Sequence, residues 1–194
     1  MLTIVWDVDD VLNHLMLEWF ETIWRPAHPG CGLDYSGIRE NPPHRILGIT
    51  AAEYLDSLDR FRLSHAGRQM APDASVCQWF GAHGNEARHI ALTSRPLEMA
   101  GAAAEWVLRH FGAYIRVFAV VPCRSGPKTP PYDASKSEFL AWWGKADILV
   151  DDRRDNIHAA ESSGIRGALF PQPWNGGGEA RTALMQLSEL VSGR

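Results

Sequence analysis

The sequence predicts a doubly wound α/β fold, with a five-stranded parallel, Rossmann-like sheet and a small helical insert after its first strand. Three observations carry that expectation. The chain opens on a short apolar run, Leu2-Thr3-Ile4-Val5-Trp6, that ends in crowded carboxylates, Asp7-Val8-Asp9-Asp10. From residue 88 onward, strand-like runs alternate with helix-like ones, as parallel strands joined by crossover helices require. Three of the strand candidates end in unusual polar groups, and a parallel sheet gathers such ends at one edge, where ligands bind.

Each element has its own signal. Five mostly β-favouring residues before Asp7 read as a buried strand. Val11 to Trp24 reads as a helix with two apolar faces, Leu15/Trp19/Ile23 and Leu17/Phe20/Trp24, stopped by Pro26. Ala27 to Pro43 is rich in Gly and Pro and reads as loop. Thr50 with Glu53 forms a capping box before Tyr54, Leu55, Leu58 and Phe61. Asp73 caps a further helix through Val76, Trp79 and Phe80. No strand is expected between residues 13 and 87. That divides the chain into a core, residues 1–14 and 81–194, and a helical insert, residues 15–80.

In the second half, His89 to Leu92 is a strand ending in Thr93-Ser94-Arg95-Pro96. Leu97, Ala100, Ala104, Val107, Leu108 and Phe111 follow at helical spacing. Ile115 to Val121 is a strand, and Cys123 to Tyr132 a Gly/Pro-rich loop. Ser135 and Glu138 make a capping box for a helix through Leu140, Trp142 and Trp143. Ile148-Leu149-Val150 is a strand ending in Asp151-Asp152, followed by a helix from about Arg154 that Gly164 closes. Gly167 to Phe170 is a last strand, and Leu184, Leu187, Leu190 and Val191 mark a closing helix. Asn175 and the three glycines after it read as a loop rather than a phosphate cradle, because no clear helix start stands directly behind them.

Composition narrows the function classes. With 45% hydrophobic and 22% charged residues, the chain fits a soluble globular protein. A formal net charge of −4 argues against long nucleic acid and anionic membranes as partners. The start MLTIVWDVDD lacks a basic leader with an apolar core behind it, and no apolar run approaches the ~20 residues of a spanning helix. Cys31, Cys77 and Cys123 are odd in number and form no CxxC, so free thiols in a reducing, cytoplasmic setting are expected.

The polar strand ends propose chemistry. Asp7, Asp9 and Asp10 cannot all stay ionised side by side without a cation or donors. Thr93-Ser94 and Asp151-Asp152 belong at the same edge. Lys136 stands in the first turn of its helix, where a cation opposes the helix dipole at a cost of ~0.3–1 kcal/mol, and this anomaly favours it over Lys128 as the site's lysine.

These residues resemble the haloacid dehalogenase superfamily, specifically its magnesium-dependent phosphatases. The family's motifs are a strand followed by DxDx(T/V), a strand ending in Thr or Ser, a Lys near a helix start, and a strand ending in an acidic pair. Asp7-Val8-Asp9-Asp10-Val11, Thr93, Lys136 and Asp151-Asp152 match them in that order. The resemblance implies Asp7 as the nucleophile that forms an aspartyl-phosphate, and Asp9 as the acid and then the base. It also implies Mg²⁺ held by Asp7, the Asp9 carbonyl and Asp152, with Asp151 holding a metal-bound water. Thr93, with Ser94 beside it, would bind phosphoryl oxygens, and Lys136 would neutralise charge. Dehalogenases of the family lack the second acid, so Asp9 favours phosphate-ester hydrolysis. Asp10, where many relatives have Gly, is expected to be an exposed or helix-capping carboxylate.

The insert corresponds to the family's helical cap, which closes over the site and selects substrate. TSRP and DDRRDN, with the small helical cap, resemble the 5′(3′)-deoxyribonucleotidase branch, which implies nucleoside monophosphates as substrates. Trp19, Phe20, Trp24 and Tyr54 could stack on a base, or simply form the insert's core. A sugar phosphate or another small phosphometabolite is the alternative. Arg95 could reach substrate, as could Arg153, which could equally pair with a neighbouring carboxylate. Asn156 stands where some relatives have a further Asp. The eight histidines show no metal-site spacing. A phosphoryl-accepting signalling domain would need its acceptor Asp on a middle strand, where Thr93-Ser94 stands. A non-catalytic binding protein would not fill all four motif positions.

Overall fold

The computed structural model describes residues 1–123 and 132–193. Five strands, β1 (Thr3–Trp6), β2 (Arg88–Thr93), β3 (Ile115–Val120), β4 (Ile148–Asp151) and β5 (Arg166–Leu169), form one sheet. Their order is β3-β2-β1-β4-β5, with every neighbouring pair parallel, as the sequence predicts. The chain builds outward from β1 to β3, then crosses back to lay β4 and β5 on the other side. β1 and β4 therefore flank the point where the order reverses, and ligands of open α/β sheets bind outside the strand ends there.

Pleating gives the two faces of the sheet different partners. Ile4, Trp6, Ile148 and Val150 join a cluster with Trp79, Phe80, Trp106, Val107, Leu184 and Leu187. Val5 and Leu149 join Leu92, Leu140, Ile157 and Ala160 on the opposite face. Thus α5 (Ala74–His83), α6 (Leu97–Phe111) and α9 (Ala180–Ser192) cover one side, and α7 (Lys136–Trp143) and α8 (Arg154–Ser162) the other. Gly164 stops α8 at φ +81°, a left-handed conformation that favours glycine. α6 turns a different stripe inward from the one its leucines suggest. Met99, Ala103, Trp106, Val107 and Phe111 are buried, while Leu97 and Leu108 are half exposed. Trp106 decides the rotation: its bulk enters the core, and its indole N–H donates to Met70 O at 2.8 Å.

One histidine lies in the first cluster. The Trp6 indole N–H donates to His89 Nδ1 at 3.1 Å, so the ring proton sits on Nε2, which donates to Gly84 O at 3.0 Å. A second proton on Nδ1 would face the indole N–H. Burial pushes this ring down to about 4. The unfolded chain then takes up the proton first, so stability is lost as pH falls from 6.5 toward that value. By ¹⁵N NMR, His89 is expected to stay the neutral Nε2–H tautomer at about pH 5.5, where an exposed ring is mostly protonated. A protonated His89 at that pH would contradict this account.

The insert has a core of its own. α1 (Leu15–Trp19) runs through a π-helical turn, Phe20–Trp24, into α2 (Arg25–Ala27), and α3 (Ala51–Leu63) and α4 (His65–Arg68) follow. The helix expected from Val11 begins instead at Leu15, and it continues past Pro26 by one residue. The wider i→i+5 turn brings Trp24 beneath Trp19, ring centroids 5.9 Å apart, and leaves Ile23 exposed. Two apparent apolar faces thereby become one. Leu15, Met16, Trp19, Phe20, Trp24, Tyr54, Leu58 and Phe61 pack together, separate from the sheet clusters. The aromatic rings considered for base stacking are thus buried in the insert.

The ends of the insert are tied to each other. Asn13 bridges to Pro72, Asp73 N–H donates to Leu12 O at 2.9 Å, and His14 Nε2 lies 3.2 Å from Asp73 Oδ2. Asp73 also caps α5 through the Ser75 and Val76 amides. α5 packs in the sheet cluster, so the expected boundary at residue 80 falls inside a helix whose apolar face belongs to the core. The capping box of α3 is complete. In α7, Ser135 accepts from the Glu138 amide, but the Glu138 carboxylate takes the Ala134 N–H instead of closing the box. Cys31, Cys77 and Cys123 are free thiols. Among the described residues no helix is long and apolar enough to cross a membrane. The loop expected from Cys123 to Tyr132 falls mostly outside the described residues, and Lys128 with it.

Candidate active site

The carboxyl ends of β1, β2 and β4, with the start of α7, bring the expected groups together. Asp7 directly follows β1, anchored by its own N–H to Val150 O at 2.9 Å. Its Oδ1 accepts the Val8 amide at 2.7 Å, and its Oδ2 lies 2.8 Å from Lys136 Nζ. Lys136 is 3% exposed and also reaches Asp151 Oδ2 at 2.7 Å. The unfavourable place of this lysine at the helix start is explained: its ammonium is held between two buried carboxylates. Burial would lower its pKa, but Asp151 and Asp7 raise it, so it stays charged. Burial raises Asp7 to about 7 against the pull of Lys136, and Asp151 and Asp9 add to the rise.

The acidic pair divides its work. Asp151 takes protein donors on both oxygens: Lys136 Nζ, the Arg153 amide at 2.9 Å, and Asn156 Nδ2 at 3.0 Å to each oxygen. Among the described residues, Asp152 engages through Oδ2, with the Trp174 indole N–H at 2.8 Å and Asn41 Nδ2 at 3.5 Å. Its backbone O accepts from Asn175 Nδ2 at 2.7 Å. The residue before the glycine run is therefore a brace for Asp152. A helix does begin shortly after that run, at Ala180. Burial, then Asp151, Asp7 and Asp10, raise the Asp152 pKa well above its ordinary value.

A cation fits here on the donor set. One carboxylate oxygen from each of Asp7, Asp151 and Asp152 lies within 4.8 Å of the others, and all three residues are buried. Among the described residues, the hydrogen bonds to the Asp152 carboxylate fall on Oδ2 and none falls on Oδ1. All the candidate ligands are hard oxygens, the set that suits Mg²⁺.

Asp9 and Asp10 differ from each other. Asp10 is buried at φ +60°, a left-handed conformation that glycine adopts without strain. Its Oδ1 accepts the Met16 N–H at 2.8 Å in the first turn of α1. It caps, as expected, but is not exposed. Asp9 is gripped by two arginines. Arg95 Nε lies 3.0 and 2.9 Å from its oxygens, with Nη2 also on Oδ1, and Arg62 Nη2 donates to Oδ2 at 3.0 Å. Burial opposes ionisation, but Arg95 and Arg62 hold this carboxyl well below the usual carboxylate range.

Thr93 is buried and its Oγ1 accepts the Arg95 N–H at 3.2 Å. Thr93, Ser94 and Arg95 line a cavity of about 220 Å³ with Asp7, Asp9 and Asp152. Its far wall comes from the insert: Asn41, Tyr54, Leu55, Leu58 and Arg62. Arg153 reaches this cavity but pairs with Asp155 at 3.7 Å. Sequence reasoning passes over Arg62, Trp174 and Asn41, because none stands at a strand end. Arg62 does leave a trace, since Leu55, Leu58 and Arg62 follow at i, i+3 and i+7 along one helix face. A larger cavity of about 690 Å³ lies at the amino ends of β1 and β2, by Thr3, Arg88 and Asp147. It is the wrong edge of the sheet for this chemistry and lacks the acidic cluster.

No family model matches the chain, and neither does any curated protein. Solved structures share its fold. A haloacid dehalogenase-like hydrolase from Streptococcus pneumoniae superposes with a TM-score of 0.63 at 13% identity, over 100% of this chain and 99% of that one. A Thermotoga maritima protein provisionally assigned as a β-phosphoglucomutase gives 0.57 at 17%, over 98% and 100%. A Lactobacillus plantarum protein provisionally assigned as a phosphoglycolate phosphatase gives 0.53 at 16%, again over 98% and 100%. At these identities the likeness is one of fold, and that fold is the haloacid dehalogenase-like one.

Proposed function

We propose that this chain is a phosphomonoester hydrolase that takes a small phosphorylated metabolite, such as a sugar phosphate or phosphorylated hydroxy acid. The observation that carries it is Asp7, at the switch point of the sheet, with Lys136 at 2.8 Å and the acidic pair beside it. A carboxylate nucleophile attacking a phosphate ester brings two anions together, and fixed positive charge must offset their repulsion.

In this reading an Asp7 oxygen attacks phosphorus, the bond to the leaving oxygen breaks, and an aspartyl-phosphate forms. Asp9 gives its proton to the leaving oxygen, then takes one from the water that releases phosphate. Asp9, held as an anion by Arg62 and Arg95, must first let go of them and take up a proton from solvent before it can give one to the leaving oxygen. Thr93 and Ser94 would hold phosphoryl oxygens, and Lys136 would keep Asp7 ionised and oriented. Asp7, Asp152 and the Asp9 carbonyl would hold Mg²⁺, with Asp151 supporting from behind. When bound, the ion would polarise the phosphoryl group and screen its charge. The insert, which begins at about residue 15 and returns to the core at about residue 72, would act as the cap.

Two features support a small metabolite over a nucleoside monophosphate. Trp19, Phe20 and Trp24 are buried within the insert and line no part of this cavity, and Tyr54, which does line it, is itself buried. The cavity of about 220 Å³ is below the ~300 Å³ at which pockets for drug-sized ligands begin. The names of two fold neighbours, a phosphoglucomutase and a phosphoglycolate phosphatase, lean the same way. The test is phosphate release from a panel of sugar phosphates, phosphorylated hydroxy acids and nucleoside monophosphates, with Mg²⁺ or with EDTA. The expected result is Mg²⁺-dependent turnover, with the small esters favoured over nucleotides by at least about tenfold in kcat/KM. A preference for nucleotides would overturn the substrate class, and turnover unaffected by EDTA would overturn the metal.

A further inference from the structure

The geometry points to Arg62 and Arg95 as the recognition site for a carboxylate elsewhere on the substrate, a place that the Asp9 carboxylate occupies in the free protein. This rests on the phosphomonoesterase reading and narrows its substrate class. The two guanidiniums come from opposite walls. Arg95 follows β2 at the sheet edge, and Arg62 ends α3 of the insert. Both line the cavity, and both converge on one carboxylate. Arg95 presents Nε and Nη2 together, the planar fork that matches a carboxylate bidentately. Asp59, one turn back on α3, holds Arg62 Nη1 at 2.9 Å and aims the rest of the guanidinium. Arg62 Nε is buried without an acceptor among the described residues, so this side chain is not spent on structural bonds alone.

For Asp9 to serve the leaving oxygen it must quit these arginines, which strips the buried Arg95 of this carboxylate and leaves Arg62 with Asp59, a costly state. A substrate carboxylate taking over the fork removes that cost. It also ties the insert to the sheet edge, as Asp9 does in its absence. Neutral esters cannot make this exchange. Carboxylate-bearing phosphate esters should therefore be selected over neutral ones of the same length.

The test compares phosphoglycolate with 2-hydroxyethyl phosphate, equal in length but ending in a hydroxyl. Binding to the Asp7→Asn chain with Mg²⁺ is measured by calorimetry, so no turnover intervenes. Phosphoglycolate is expected to bind at least ~30-fold more tightly, and Arg62→Met should cut that ratio to within about threefold. Arg62→Lys, which keeps the charge but loses the Nη2 donor that Asp59 aims, should retain an intermediate ratio, and it serves if the Met variant does not fold. Equal affinity for the two esters, or a preference that survives both substitutions, overturns the carboxylate site. Turnover by the chain with Asp7 intact is read separately. If the binding preference holds but no ester is hydrolysed, the hydrolase reading fails and the carboxylate site stands.

Discussion

Asp7→Asn is expected to lower phosphate release by at least ~10³-fold while leaving the chain folded. The amide keeps the shape and can still accept from the Val8 N–H, but it is a poor nucleophile and carries no charge for Lys136. Lys136 retains Asp151 at 2.7 Å, so the ammonium is not orphaned. Burial already raises Asp7 to about 7, so removing its charge also removes a desolvation cost. Stability should therefore change by no more than about 1 kcal/mol in either direction. The measurements are turnover of a small ester and a urea denaturation curve. Residual activity within about tenfold of the parent would reject Asp7 as the nucleophile.

Lys136→Met is expected to have the largest effect on stability. It leaves Asp7 and Asp151, both buried, without the cation between them. Breaking a buried pair by removing one partner typically costs ~3–5 kcal/mol. The remaining carboxylates can recover part of this by taking up a proton. A carboxyl raised in the folded state binds its proton there before the unfolded chain does, so stability falls as pH rises through the folded value. The deficit of the variant should thus be larger at about pH 8 than at about pH 5. Denaturation at both pH values checks the sign. An equal or smaller loss at the higher pH would show that Lys136 is not compensating these carboxylates. Activity should be lost as well, since Asp7 would no longer be held ionised beside the phosphate.

The sheet and most of the residues gathered at its carboxyl edge were legible in the sequence because each is a local signal. Apolar strands punctuated by polar ends specify a parallel sheet, and a parallel sheet needs no further information to put Asp7, Thr93 and Asp151-Asp152 at one edge. Lys136 was legible because it violates a local rule, standing as a cation at the start of a helix. Asp73 and the Thr50–Glu53 box were legible because capping acts over three residues.

What only the tertiary structure decided are the choices that depend on two surfaces meeting. Which stripe of α6 turns inward was settled by Trp106 and its partner in the insert, because leucines at Leu97 and Leu108 made both rotations plausible by pattern alone. The π-helical turn at Phe20–Trp24, which merges two apolar faces, has no local signature. Asp9 reads in sequence as a free acid beside Asp7. In the fold it is an anion held by Arg62, 53 residues away, and Arg95, 86 residues away. Ion pairs formed across such distances depend on where the insert folds back over the sheet. The sequence by itself determined the fold class and the Asp7–Thr93–Lys136–Asp151–Asp152 constellation. The electrostatic state of Asp9, and the wall that faces it, were decided by the packing of insert against core.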